Sequence, residues 1–207
     1  MITVGVGAGS NLQFYNMVIP DLNATLSGAA PYNPPPPLNP TPADPAAFFN
    51  TPAQMAELAK ELGGAGLMGH SESSSFPTRA ALQPGSGCYP WTSASACKVK
   101  AIMQLETGCF GNLTDAEQTT LSHIPILIEY GDFSPVTQPA APCPTEISQI
   151  TAKGGDIKFA WLPQLTSGSL YTGSPGPITG NEHMVMLDNN NQQIAQIFID
   201  WLSSRGL

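Results

Sequence analysis

The sequence predicts an α/β fold in one domain covering residues 1–207, with a mostly parallel sheet flanked by helices. From Gly66 onward, short apolar runs alternate with helix-like or loop segments, a pattern typical of parallel strands joined by crossover helices. A length of 207 residues, 42% of them hydrophobic, suits one domain with a sizeable core. No stretch reaches the roughly 18 consecutive apolar residues that span a bilayer, so we expect no membrane partner.

Three segments precede the first strand. Apolar residues at helical spacing predict a short helix over 11–22. Proline dominates 27–45, and because proline donates no backbone hydrogen bond, we expect a surface or cap loop there. Thr51 and Pro52 supply an N-cap and a proline at the first helical position, so they begin a third segment, a helix that ends near Leu62.

The remaining elements follow from apolar runs and from one strongly periodic segment. Four runs predict strands: 66–69, 99–105, 124–130 and 157–162. The apolar residues between Ile194 and Leu202 fall on one helical face, and Gly206 lies just beyond them. We therefore predict that a helix ends the chain.

Charge argues against two classes of partner. The formal net charge is −8 and no run of lysines or arginines occurs. Nucleic acid and anionic membrane surfaces attract basic patches, so neither is expected to bind. Only 11% of residues are charged, whereas proline (21) and glycine (20) are frequent, which is typical of a loop-rich extracellular protein.

The cysteines also indicate an extracellular protein. Cys88 and Cys97 lie close together in the sequence, and Cys109 and Cys143 lie further apart. Without a Cys-x-x-Cys motif or a neighbouring histidine, two disulfides are favoured over zinc, and disulfides indicate an oxidising compartment.

Two N-glycosylation patterns, at Asn23 and Asn112, agree with secretion. Residues 1–10 do not resemble a signal peptide. We therefore expect a secreted glycoprotein whose signal peptide is absent from this chain.

One segment indicates nucleophilic catalysis. Gly69-His70-Ser71-Glu72-Ser73 follows an apolar run at the point where a strand must turn into a helix. It resembles the nucleophile elbow Gly-x-Ser-x-Gly, in which small residues relieve crowding at a strained turn. Ser73 stands in place of the second glycine. We predict that Ser71 is the nucleophile.

A serine hydroxyl needs a histidine to accept its proton, and the chain has three histidines. His70 precedes the serine and is expected to point away from it. His123 borders a predicted strand, where a structural or surface role is expected. His183 lies after the last strand and before the last helix, which is the place of the base in α/β-hydrolases. We predict that His183 is the base.

Two acids compete to orient that histidine. Glu106 follows the second predicted strand, and Asp132 follows the third. Most α/β-hydrolases place the acid after the later of these strands, which favours Asp132. Strand order alone leaves both candidates open.

A resemblance extends over residues 11–207. Its segments are the serine turn, Leu105-Glu106-Thr107-Gly108-Cys109, Ile124-Pro125-Ile126-Leu127 with Tyr130-Gly131-Asp132, and Asn181-Glu182-His183-Met184-Val185-Met186-Leu187-Asp188-Asn189-Asn190-Asn191. Together they resemble a family of secreted bacterial and fungal α/β-hydrolase esterases. The resemblance implies that Glu106 is the acid and that Asp132 has a structural role.

The resemblance also implies disulfides between Cys109 and Cys143 and between Cys88 and Cys97. It implies the C-terminal part of a hydrolase sheet, since the strands that precede the elbow in the family are not visible in this sequence. A small-molecule ester is the expected partner, no metal or cofactor is expected, and a homodimer is left open.

The reaction implied is hydrolysis of carboxylic esters through an acyl-enzyme, with the backbone N–H of Glu72 as one oxyanion donor. The sequence offers no candidate for the second donor. Two alternatives therefore stay open: a catalytically inactive remnant that serves as an interaction module, and an acyltransferase that uses the same three residues.

Overall fold

The computed structural model describes residues 50–106, 113–132 and 143–207, and its centre is a sheet of four strands. The predicted helix at 11–22, the proline-rich loop at 27–45, Asn23, Asn112 and Cys109 lie outside the described residues. The extent of the domain over 1–207 stays a prediction.

The described elements begin with α1, which starts at Asn50, just before the predicted N-cap Thr51. The elements are α1 Asn50–Glu61, β1 Ala65–His70, α2 Phe76–Ala81, β2 Val99–Leu105, α3 Asp115–Leu121, β3 Ile126–Tyr130, α4 Cys143–Ala152, β4 Ile157–Trp161 and α5 Asn191–Ser203. Short 3₁₀ turns cover Ser71–Ser73, Pro84–Ser86, Leu162–Gln164 and Val185–Leu187.

The strands lie in the order β1-β2-β3-β4, and every neighbouring pair is parallel. This arrangement confirms the predicted α/β fold with a parallel sheet flanked by helices. The third strand begins two residues later than predicted, at Ile126, whose N–H donates to the carbonyl of Asp156. Pro125 has no N–H and cannot make the equivalent bond to the sheet. Because all four strands run the same way, their carboxyl ends meet at one edge.

The two central strands, β2 and β3, are buried on both faces, which explains their nearly continuous apolar runs. On β2, Ile102 packs into one apolar layer and Met103 into the other. Helix α5 covers the second layer with Ile197, Phe198 and Trp201, and Trp201 is 0% exposed. Burying each such side chain contributes on the order of 1.5–3 kcal/mol, so this helix strongly stabilises the face that supports the histidine loop.

A disulfide joins Cys88 and Cys97, with Cα atoms 4.0 Å apart. Cys143 is also disulfide-bonded, and Cys109, its expected partner, lies outside the described residues. The Tyr130 hydroxyl lies 3.1 Å from Cys143 Sγ. A disulfide sulfur carries no hydrogen, so Tyr130 donates. Within the three described ranges, the helices are all too short or too polar to cross a membrane.

Candidate active site

Ser71 lies directly after β1, where the chain leaves the sheet. Its φ is +56°, and for an L-residue this left-handed conformation costs about 1–2 kcal/mol. The next residues form a 3₁₀ turn in which the N–H of Ser74 donates to the carbonyl of Ser71 at 3.0 Å. Strain of this kind is concentrated at functional sites. The turn leads into α2 and exposes the Ser71 hydroxyl at the carboxyl edge of the sheet.

Gly69 makes this turn possible. A Cβ at position 69 would lie 2.3 Å from the backbone oxygen of Ser73 and 2.9 Å from Pro77 Cδ, distances that no side chain tolerates. The Ser73 hydroxyl donates to the carbonyl of His70 at 2.8 Å. Ser73 replaces the second glycine of the motif, and its side chain stabilises the turn through this hydrogen bond.

His183 comes from the loop between β4 and α5. Its Nε2 lies 2.7 Å from Ser71 Oγ, and its Nδ1 lies 3.3 Å from Glu106 Oε2. When the proton is on Nδ1, the ring donates to the carboxylate and accepts from the serine hydroxyl. The structure thus brings these three residues together across 112 residues of sequence.

Glu106 follows β2 directly and also has a left-handed backbone, with φ of +50°. Its side chain is fully buried. The N–H of Gly131 donates to Oε1 at 2.5 Å, and the N–H of Glu106 itself donates to the carbonyl of Glu129 at 2.9 Å. Burial raises the pKa of Glu106, and the hydrogen bonds from Gly131 and His183 oppose that increase. The carboxyl is thus held from both sides.

Asp132 lies just beyond the end of β3, after Gly131, and has different contacts. Its Oδ2 accepts from the N–H of Gly180 at 2.8 Å, and its own N–H donates to the carbonyl of Asn181 at 3.0 Å. Within the described ranges, no hydrogen bond joins Asp132 to His183. Asp132 therefore anchors the loop that carries the histidine.

The remaining predicted oxyanion donor and the two other histidines have the following places. The backbone of Glu72 lies in the turn after Ser71. His123 stacks on Trp91, with ring centroids 4.1 Å apart. His70, expected to point away from the serine, contacts the histidine loop: its Nε2 lies 2.6 Å from the carbonyl oxygen of His183. Nothing in the sequence indicated this contact. No cluster of side chains suited to a metal ion occurs in the part of the chain that the structure describes.

Sequence reasoning also missed Glu129, a buried carboxyl on β3. Glu129 is 1% exposed, and neither of its side-chain oxygens has a hydrogen-bond partner among the residues that the structure describes. Burial, followed by repulsion from Glu106 and Asp188, raises the pKa of Glu129 well above its usual range. The protonated, neutral form of the Glu129 carboxyl is therefore favoured.

Glu129→Gln should therefore make the protein more stable at alkaline pH. An acid whose pKa is raised on folding stabilises the fold fully below its unfolded pKa and loses that contribution as pH rises through the folded pKa. Glutamine does not titrate, so we expect its advantage in unfolding free energy to grow with pH to about 1–3 kcal/mol, the cost of an unsatisfied buried group. Urea unfolding between pH 5 and 9 measures this. The exposed Glu57→Gln is the control, and parallel pH curves for wild type and Glu129→Gln would contradict the prediction.

Comparison with known proteins finds similarity among solved structures. No protein-family model matches the sequence, and no curated protein matches it. The chain is similar to a structure described as the atomic resolution structure of a novel bacterial esterase, with 27% sequence identity and a TM-score of 0.56. The match covers 73% of this chain and 42% of that one, so the chain spans about two-fifths of that protein's length. Together with the parallel sheet, this similarity indicates an esterase-like hydrolase fold.

Proposed function

We propose that this protein is a serine esterase that hydrolyses carboxylic esters through an acyl-enzyme. The observation that carries the proposal is the continuous hydrogen-bonded series from Ser71 through His183 to the buried Glu106. In such a series the base accepts the proton of the serine, and the acid orients the base, so the serine becomes a nucleophile. The similarity to a bacterial esterase supports the same class of reaction.

The reaction follows from these contacts. His183 Nε2 removes the proton from Ser71 as Ser71 Oγ bonds to the ester carbonyl carbon. The carbonyl oxygen becomes an oxyanion, for which the N–H of Glu72 is the donor in this proposal. The imidazolium then gives its proton to the departing alcohol, leaving an acyl-serine. Water, deprotonated by His183, attacks this ester, and release of the carboxylic acid restores the Ser71 hydroxyl.

Glu106 is the acid in this proposal. Its buried carboxylate accepts the Nδ1 proton of His183, which fixes the tautomer that leaves Nε2 free to act as a base. The N–H of Gly131 orients the carboxylate. Asp132 instead accepts from the backbone of Gly180, which supports a structural role. We also propose that the protein is secreted, in agreement with its Cys88–Cys97 disulfide.

Labelling with a serine-reactive fluorophosphonate tests the proposal. We expect one adduct on the intact chain, mapped to Ser71 by peptide mass spectrometry, together with turnover of p-nitrophenyl esters of short acids. Ser71→Ala should abolish both. Ser75→Ala is the matched control, because Ser75 lies in the same segment and its side chain does not cap α2.

Labelling of another residue would overturn the assignment of Ser71. A folded chain that neither reacts with the phosphonate nor hydrolyses esters would overturn the esterase proposal. That result would instead support the alternative of a non-catalytic interaction module.

A further inference from the structure

His70 lies at the end of β1, next to Ser71, but its side chain contacts the loop from the far end of the chain. Its Nε2 is 2.6 Å from the backbone oxygen of His183, and the two imidazole centroids are 5.0 Å apart with planes tilted by 45°. A carbonyl oxygen can only accept a hydrogen bond, so Nε2 of His70 carries the proton. The contact therefore defines one tautomer of His70.

We propose that His70 is a positioning residue for the esterase reaction: by donating to the His183 carbonyl, it sets the place of the base relative to Ser71. This inference rests on the proposed function. His70 does not touch the reacting atoms, since its donor is bonded to the backbone of the base.

The other anchors of the histidine loop explain why this bond matters. Three hydrogen bonds hold the residues just before His183: Gly180 N–H to Asp132 Oδ2, Asp132 N–H to Asn181 O, and Glu182 N–H to Asp188 Oδ2. Two of them tie the loop to the end of β3 and the third ties it to itself. Over the described ranges, the bond from His70 is the one that joins the backbone of His183 to the strand carrying the nucleophile.

The protonation state of His70 suits this role. Burial lowers the pKa of His70, the bond to the His183 carbonyl opposes that decrease, and the charge of a protonated His183 lowers it further. A neutral His70 keeps its Nε2 proton for the carbonyl. It also places no second positive charge beside His183 when the base becomes an imidazolium during the reaction.

Three substitutions test the geometry. The amide nitrogen of glutamine reaches about as far as Nε2 of histidine, whereas that of asparagine falls short and alanine has none. Because a displacement of about 1 Å can cost about 100-fold in rate, we expect His70→Ala and His70→Asn to lower kcat by about 10- to 100-fold with KM changed less than about threefold. His70→Gln should recover most of the wild-type kcat. His123→Ala, which removes a ring stacked on Trp91 away from the site, is the control.

Equal kcat for wild type and all three folded variants would overturn the proposal. Equal impairment of His70→Gln and His70→Ala would overturn it too, since that outcome indicates ring packing in place of the hydrogen bond. Long-range ¹H–¹⁵N NMR of the full chain gives a readout that does not depend on turnover. We expect His70 to carry a proton on Nε2 at pH 7, and a ring protonated on Nδ1 alone would overturn the inference even in an active esterase. Absence of phosphonate labelling in a wild type with the expected tautomer would instead count against the proposed function.

Discussion

Glu106→Gln should lower kcat for ester hydrolysis by about 10⁴-fold, the loss seen when the acid of a serine-histidine-acid site becomes an amide. Glutamine can present its NH₂ group to His183 Nδ1, which favours the tautomer with a proton on Nε2. That proton occupies the position that must accept from Ser71 Oγ, 2.7 Å away. Saturating steady-state kinetics with a p-nitrophenyl ester measures the loss, and circular dichroism checks the fold.

Asp132→Asn is the matched substitution, because it makes the same change after the neighbouring strand. The amide oxygen of asparagine can still accept from the N–H of Gly180, and the backbone bond to Asn181 is unaffected. We expect kcat to fall by less than about tenfold, as befits a residue that supports the histidine loop. If Asp132→Asn lost more activity than Glu106→Gln, the two roles would be reversed.

Gly69→Ala should both destabilise the protein and inactivate it. The added methyl group would lie 2.3 Å from the backbone oxygen of Ser73 and 2.9 Å from Pro77 Cδ, and a backbone atom cannot move aside by changing rotamer. Overpacking costs typically about 1–3 kcal/mol and at times more, so we expect a loss of about 3 kcal/mol or more in unfolding free energy. Displacement of the turn should lower kcat by about 100-fold or more.

Gly85→Ala is the control for this prediction. A Cβ at position 85 meets nothing within 4 Å, and its backbone requires no left-handed conformation. Urea unfolding should place this variant within about 1 kcal/mol of wild type, with unchanged kcat. Similar stability of the two alanine variants would show that the turn after β1 is looser than the structure indicates.

Much of the fold could be predicted because the two central strands of the sheet are buried on both faces. Two-sided burial turns strands into short apolar runs, and the small residues around Ser71 mark the sharp turn that follows the first of them. His183 could be selected by chain order alone. The start of β3 was predicted too early: the strand begins after Pro125, because that residue lacks an N–H.

The choice between Glu106 and Asp132 could not be derived from strand pattern. Both follow strands that are neighbours in the sheet, so both carboxyls reach the same edge. The two carboxylates differ in their hydrogen-bond donors: the N–H of Gly131 donates to Glu106, and the N–H of Gly180 donates to Asp132. Which donor each carboxylate meets depends on the path of loops far apart in sequence. The resemblance to secreted esterases, and not the periodicity, pointed to Glu106.

Two further features had no sequence signal. His70 meets a carbonyl 113 residues away, a contact set by where the loop after β4 returns to the sheet. Glu129 lies in Ile126–Tyr130, which has the composition of an ordinary buried strand, and nothing in it indicates that the charged residue would be enclosed. Long-range loop packing decides both.

Ser71 and Glu106 are the two non-glycine residues with positive φ among those the structure describes. A glycine at either place would relieve the backbone, since it adopts this region as readily as any other. Selecting random variants for heat resistance would therefore favour glycine in place of Ser71 or Glu106. Variants selected in this way would lack the nucleophile or the acid. Any programme to stabilise this protein should score ester turnover alongside melting temperature, or hold these two codons fixed.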